Sequence, residues 1–135
     1  MLFDQIPHEN PDMLSPLALA FVGDAVFTLL VKSTLVCEAN APVGKLHAAS
    51  AAQVNAAAQA AAFRILEPQL DEKELAVFKR GRNAHTGTVP RNMSAANYHC
   101  ATGLEALLGW LYLSGKTARI RELFDILQQN GQTSI

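Results

Sequence analysis

Two carboxylates stand alone in apolar stretches of this 135-residue chain. FVGDAVFTLL, residues 21–30, surrounds Asp24 with small or apolar residues, and TGLEALLGWLYL, residues 102–113, does the same for Glu105. Charged side chains rarely enter a core unless they are paired or bind a metal. Each acid also has glycine nearby: Gly23 precedes Asp24, and Gly103 and Gly109 flank Glu105. Glycine inside a helix costs about 1 kcal/mol relative to alanine, so its use here points to close helix packing or close approach of a ligand. If the two segments cross near these acids, the carboxylates repel unless a proton or a cation lies between them. Mg²⁺ binds through one or two carboxylates together with water and substrate phosphate. That donor set suits metal-assisted phosphoryl transfer. The bland alternative for each acid is partial exposure or pairing with an arginine.

The second chemical feature is cationic. No acid occurs from Leu75 to Leu104, while Lys79, Arg80, Arg82 and Arg91 fall in that window. Residues 1–38 carry Asp4, Glu9, Asp12, Asp24 and Glu38 against Lys32 alone. The net charge is −1, but local potential steers a polyanion, so the stretch is a candidate phosphate contact. Asn83, His85, Thr86 and Thr88 supply hydrogen-bonding neighbours. A solvated basic surface is the alternative. His8, His47, His85 and His99 would support metal-free acid–base catalysis only if two of them converged. Cys37 and Cys100 lack metal-ligand spacing and read as reduced, buried small hydrophobes of a cytosolic chain.

The elements that must position these groups read as helices. Ser15-Pro16 opens the first, through LALAFVGDAVFTLLVKSTLV, apolar on nearly every side as a central buried helix would be. Pro42 opens a second over KLHAASAAQVNAAAQAAAFRIL, which Glu67-Pro68 ends. Asp71 with Glu74 forms a capping box for EKELAVFKRGR. GRNAHTGTVPRNM reads as an ordered loop. Ser94 caps a fourth helix through AANYHCATGLEALLGWLYLSG, and a fifth runs from Thr117 to Asn130 with Gly131 as its stop. Half the residues are hydrophobic (50%) and 17% are charged, a globular composition. No apolar run approaches the ~18 residues a membrane span needs, and the N-terminus shows no secretory pattern. The expected fold class is all-α, a single-domain helical bundle over residues 1–135.

With the elements in place, the residues become familiar. LALAFVGDAVFTLLV together with ATGLEALLGWLYLSG resembles the two signature helices of the ribonuclease III catalytic domain. There, a Gly-Asp-(Ala/Ser) turn and a Glu-Ala-Leu-(Leu/Ile)-Gly segment supply metal ligands for cleavage of double-stranded RNA. The short chain, FKRGRNAHTGTVPRN before the second signature, and the lack of a double-stranded-RNA-binding domain resemble the compact Mini-ribonuclease III family. The similarity runs from about Leu14 to Leu127.

The resemblance implies that Asp24 and Glu105 are the catalytic residues and hold Mg²⁺. Lys79, Arg80, Arg82, Asn83, His85 and Arg91 are then RNA contacts, reading duplex shape across the shallow groove. His99 reads as packing, and Trp110, Tyr112 and Leu113 as core or dimer interface. The activity implied is a homodimeric, Mg²⁺-dependent endoribonuclease that cuts both strands of a duplex and leaves 5′-phosphate and 3′-hydroxyl ends. The implied substrate is precursor ribosomal RNA, particularly that of the large subunit, in the cytoplasm. An assembling ribosomal subunit or one of its proteins is a further partner, and no membrane is involved. Leu17, Ala20 and Thr102 replace acids of the larger ribonuclease III pattern, and Thr28 stands where the compact family often has glutamate. Those departures keep two other classes open. One is a catalytically silent RNA-binding relative, the other a helical interaction module in which both acids form buried hydrogen bonds.

Overall fold

The computed structural model describes residues 10–84 and 87–131. A single 3₁₀ turn, Pro11–Met13, leads into α1, Pro16–Glu38, followed by α2, Val43–Gln53, and α3, Ala56–Leu66. A second 3₁₀ turn, Glu67–Gln69, precedes α4, Glu72–Arg82, α5, Ala95–Leu113, and α6, Thr117–Gln129. No strand occurs among the described residues. The fold is an all-α bundle, as the sequence implied. One hydrophobic cluster draws on α1, α3, α4, α5 and α6.

Side-chain caps start the helices where the sequence placed them. Ser15 Oγ accepts from the Ala18 amide at 3.1 Å, with Pro16 in the first turn. Asp71 and Glu74 form the reciprocal capping box, at 2.8 and 2.9 Å. Ser94 Oγ accepts from Asn97 N at 3.3 Å. At the C-terminus of α5, Gly115 adopts φ +74° while the Lys116 amide reaches Leu111 O at 2.9 Å. That is the glycine-dependent stop that satisfies the last carbonyls.

Four expectations change. The alanine-rich segment is two helices, because Asn55 serves both ends of a break. Its Nδ2 donates to the carbonyls of Ala51 (2.9 Å) and Ala52 (3.1 Å), closing α2, while its Oδ1 accepts from Ala58 N at 2.9 Å, opening α3. The bend lets α3 pack on α5.

The central buried helix is α5, in which Leu104, Ala106, Leu107 and Leu111 are 0% exposed. Helix α1 buries one face, Leu19, Gly23, Phe27, Val31 and Leu35, and leaves Leu17, Phe21, Leu29 and Val36 exposed. Its length and mean hydropathy of 1.7 are enough to cross a membrane, contrary to the reading that no apolar run approaches that size. Its buried face packs against α5. Cys37, expected to be buried, lies on the exposed side of the last turn of α1, while Cys100 is half-buried.

Polar anchors tie the periphery to this core. Glu74, 3% exposed, takes two bonds from Arg119 of α6, Nε at 2.8 Å and Nη2 at 2.9 Å. Bidentate pairing of this kind is what makes a buried carboxylate tolerable. Trp110 donates its indole N–H to Asp12 at 2.8 Å, and Lys73 bridges to the same carboxylate at 3.3 Å. Those contacts hold the N-terminal turn against α5.

Candidate active site

The site begins with two glycines. Where α1 crosses α5, a Cβ on Gly23 would overlap the Glu105 carbonyl and stand 2.9 Å from Gly109 N. A Cβ on Gly109 would overlap the Leu19 carbonyl and approach Gly23 N to 3.1 Å. The helices therefore meet backbone on backbone, which no residue larger than glycine permits. Close packing is what the glycines serve, and its product is the juxtaposition of Asp24 with Glu105.

The two acids differ in setting. Asp24 is exposed on α1, at the edge of the crossing, which answers the puzzle of a charge in a core-like stretch: the apolar stretch is half surface. Glu105 is half-buried, and its carboxyl shares a hydrogen bond with Asp24. Burial first, then the Asp24 charge, push Glu105 up from its ordinary 4.5 to about 7. Gln59 of α3 opposes that shift by donating Nε2–H to Glu105 Oε2 at 3.3 Å. The sequence reading missed Gln59, whose only signal was a lone amide in an alanine run.

These residues fit a hard divalent cation. Two carboxylates face one another, and burial followed by the Asp24 charge disfavours the ionised form of Glu105, a repulsion that a cation between them would relieve. No hydrogen bond from the described residues reaches the side-chain oxygen of Gln59, although that residue is 5% exposed. Among the described residues no group of three Asp, Glu, His or Cys side chains gathers. Water and substrate phosphate would complete the shell, as they do for Mg²⁺. Thr102, where the larger family pattern has an acid, spends its hydroxyl on its own helix, donating to Tyr98 O at 3.1 Å.

A raised carboxyl has a thermodynamic consequence. Between about pH 4.5 and pH 7 the native protein holds a proton on Glu105 that the unfolded chain has released. This group therefore favours folding at low pH, and that contribution is lost as pH rises through about 7. In EDTA, the Tm of the wild type falls relative to Glu105→Gln from pH 5 to pH 7.5. A difference that stays flat across the range would remove the assignment.

The cationic residues separate by direction. Lys79, Arg80 and Arg82 lie in the last turns of α4 rather than in a loop, and all are exposed, as are Asn83 and Arg91. Gly81 is buried in α4, where a Cβ would come within 2.6 Å of Ala106 Cβ, so it serves helix contact and not loop shape. Gly87, at φ +84°, is the position where the loop requires glycine. The Arg82 guanidinium stands 5.8 Å from the centre of the Phe78 ring, which itself stacks on Phe63 at 3.6 Å. With Asn83, Ala96 and His99, Arg82 lines a depression of about 360 Å³. The charge of Arg80 is near enough to Asp12 to help lower that carboxyl, after Trp110 and Lys73. His8, His85 and Thr86 lie outside the described residues. A larger cavity of about 610 Å³ opens between α1 and α6, and neither Asp24 nor Glu105 lines it.

Comparisons with known proteins identify the family of the fold. The sequence model of the ribonuclease III domain matches residues 17–116. A Mini-ribonuclease 3 of Thermoanaerobacter sp. (strain X514) is 40% identical, over 86% of this chain and 82% of that one. A Mini-ribonuclease 3 of Brevibacillus brevis is 44% identical, over 84% and 85%. A crystal structure of a Fusobacterium nucleatum protein superposes with a TM-score of 0.81 at 29% identity, covering 92% of this chain and 99% of that one.

Proposed function

This chain belongs to the ribonuclease III family, in its Mini-ribonuclease 3 branch, and from that membership we propose that it is an Mg²⁺-dependent endoribonuclease acting on double-stranded RNA. The observation that carries the proposal is the pairing of Asp24 with Glu105 at the glycine crossing. These two residues would hold the cation, which when bound supplies Lewis acidity toward the phosphate and lowers the pKa of a water. Glu105 would hold the cation in its ionised form, which the Gln59 N–H favours. The products of this reading carry 5′-phosphate and 3′-hydroxyl ends. Its substrate is the precursor of large-subunit ribosomal RNA, met in the cytoplasm on the assembling subunit.

A single site reaches one strand, so cutting both strands calls for two. The exposed apolar face of α1, where Phe21 is 83% exposed and Val36 58%, supports a two-fold dimer built on that helix. The bound duplex would lie along the cationic end of α4, with Arg82 and Asn83 at the depression beside His99.

The test is incubation of the protein with long duplex RNA. Cleavage is expected with Mg²⁺ and none with EDTA; cutting that persists in EDTA overturns the metal reading. A silent RNA-binding relative, which the tied hydroxyl of Thr102 favours, would bind duplex and leave it intact under both conditions. Replacing Arg80, Arg82 and Arg91 by alanine should raise KM. It should also flatten the dependence of log affinity on log salt by about 0.9 for each phosphate no longer neutralised, a slope calibrated on B-form DNA. The kcat at saturating RNA should change less. An unaltered salt slope removes these residues from the interface.

A further inference from the structure

We propose that Gln59 is the positioning residue of the cation site: its amide holds the Glu105 carboxylate beside Asp24 in the orientation that accepts the metal. The inference rests on the metal-dependent reading above and adds to it a residue from a third helix. Asp24 and Glu105 come from α1 and α5, whose backbones the glycine contacts lock together. That lock fixes the two Cα positions but leaves the glutamate side chain three torsions to settle. Gln59 Nε2, at 3.3 Å from Oε2, is the one N–H donor among the described residues that reaches this carboxylate.

Three observations separate this contact from ordinary packing. Gln59 is 5% exposed in a helix whose other buried residues are Ala56, Ala60, Ala62, Phe63 and Leu66, so a polar side chain there is costly unless it is used. The side chain is placed by the break at Asn55, which opens the helix four residues earlier and lets it pack on α5. Its donor binds Oε2 of Glu105 from α3, while its own oxygen accepts nothing from the described residues. Partners of this kind orient metal-binding carboxylates, and their loss typically costs about 10–100-fold in metal affinity or activity.

The experiment uses the full chain without RNA. Mn²⁺ binding is followed by electron paramagnetic resonance, and Mg²⁺ binding by the rise in Tm, for the wild type, Asp24→Asn, Gln59→Leu and Gln59→Met. Both Gln59 variants keep the volume and remove the donor, and the unbranched methionine serves if the leucine variant does not fold. The Mn²⁺ Kd is expected to rise about tenfold or more in each Gln59 variant. Cleavage should need correspondingly more Mg²⁺, with kcat recovering at high Mg²⁺ and KM for duplex RNA unchanged. A merely structural amide would lower Tm in EDTA and leave the metal Kd within twofold of the wild type, and that result overturns the inference. If the wild type itself binds no Mn²⁺, and Asp24→Asn changes nothing, the metal-dependent reading fails and takes this inference with it.

Discussion

Asp24→Asn abolishes cleavage while the protein stays folded and still binds duplex RNA. Asp24 is exposed at the edge of the α1–α5 crossing, so an asparagine there fills the same space without disturbing the core. What is lost is a negative charge. A divalent cation supplies several kcal/mol of transition-state stabilisation in phosphoryl transfer, and about 4 kcal/mol corresponds to roughly a thousandfold in rate. The loss should appear in kcat, with KM for RNA little changed. Glu105→Gln produces the same phenotype from the opposite helix. The metal-free stability of Asp24→Asn should match or exceed that of the wild type, because the Asp24 charge raises the pKa of Glu105 and its removal relieves that repulsion. Near-normal turnover in either variant, measured by gel on duplex RNA with saturating Mg²⁺, would show that the pair is not the catalytic centre.

Gly23→Ala should be the most damaging single-methyl change in the chain. The added carbon would overlap the Glu105 carbonyl, and backbone cannot rotate aside as a flexible side chain can. The two helices must move apart, which opens a gap along an interface that also includes Leu19 and Gly109. Overpacking of this kind costs up to about 3 kcal/mol or more, which lowers Tm by roughly 10 °C or more in a domain of this size. Even where the variant folds, separating α1 from α5 moves Asp24 away from Glu105, so activity falls further than stability. Gly44→Ala, in open space, is the control and should change neither. Thermal denaturation by circular dichroism with cleavage assays checks both points, and a Gly23→Ala protein of wild-type Tm would show that the crossing is looser than its geometry.

The helix starts were legible because their signals are local. Ser15-Pro16, Asp71 with Glu74, and Ser94 each act on an amide three residues away, and each caps as read. Asn55 escaped notice for the opposite reason. An asparagine among alanines is compatible with a continuous helix, and only the direction α3 must take to reach α5 makes the break worthwhile. The pairing of Asp24 with Glu105 was readable from their isolation and their glycines, whereas Gln59 was not, since nothing local marks which helix face will meet a residue 46 positions on. The Glu74–Arg119 bridge was hidden similarly: the capping box explained Glu74 already, and its second use depends on α6 folding back. Helix α1 misled because an apolar stretch does not say how many of its faces the same chain covers. Its uncovered face is where a second subunit is proposed.

The break at Asn55 also divides the molecule dynamically. Helix α2 has 11 residues, no side-chain cap at its start, and Ser50 as its one buried residue. A helix of that length is marginal on its own and takes its stability from packing, and α2 has little. Its amides should therefore exchange with solvent through a local opening far cheaper than global unfolding, while those of α5 exchange only when the whole domain opens. Asn55 sets the boundary of that unit, since its side chain caps α3 whether or not the carbonyls of Ala51 and Ala52 remain helical. Asp24, Gln59 and Glu105 all lie on the protected side, so the chemistry stays assembled while the neighbouring helix breathes.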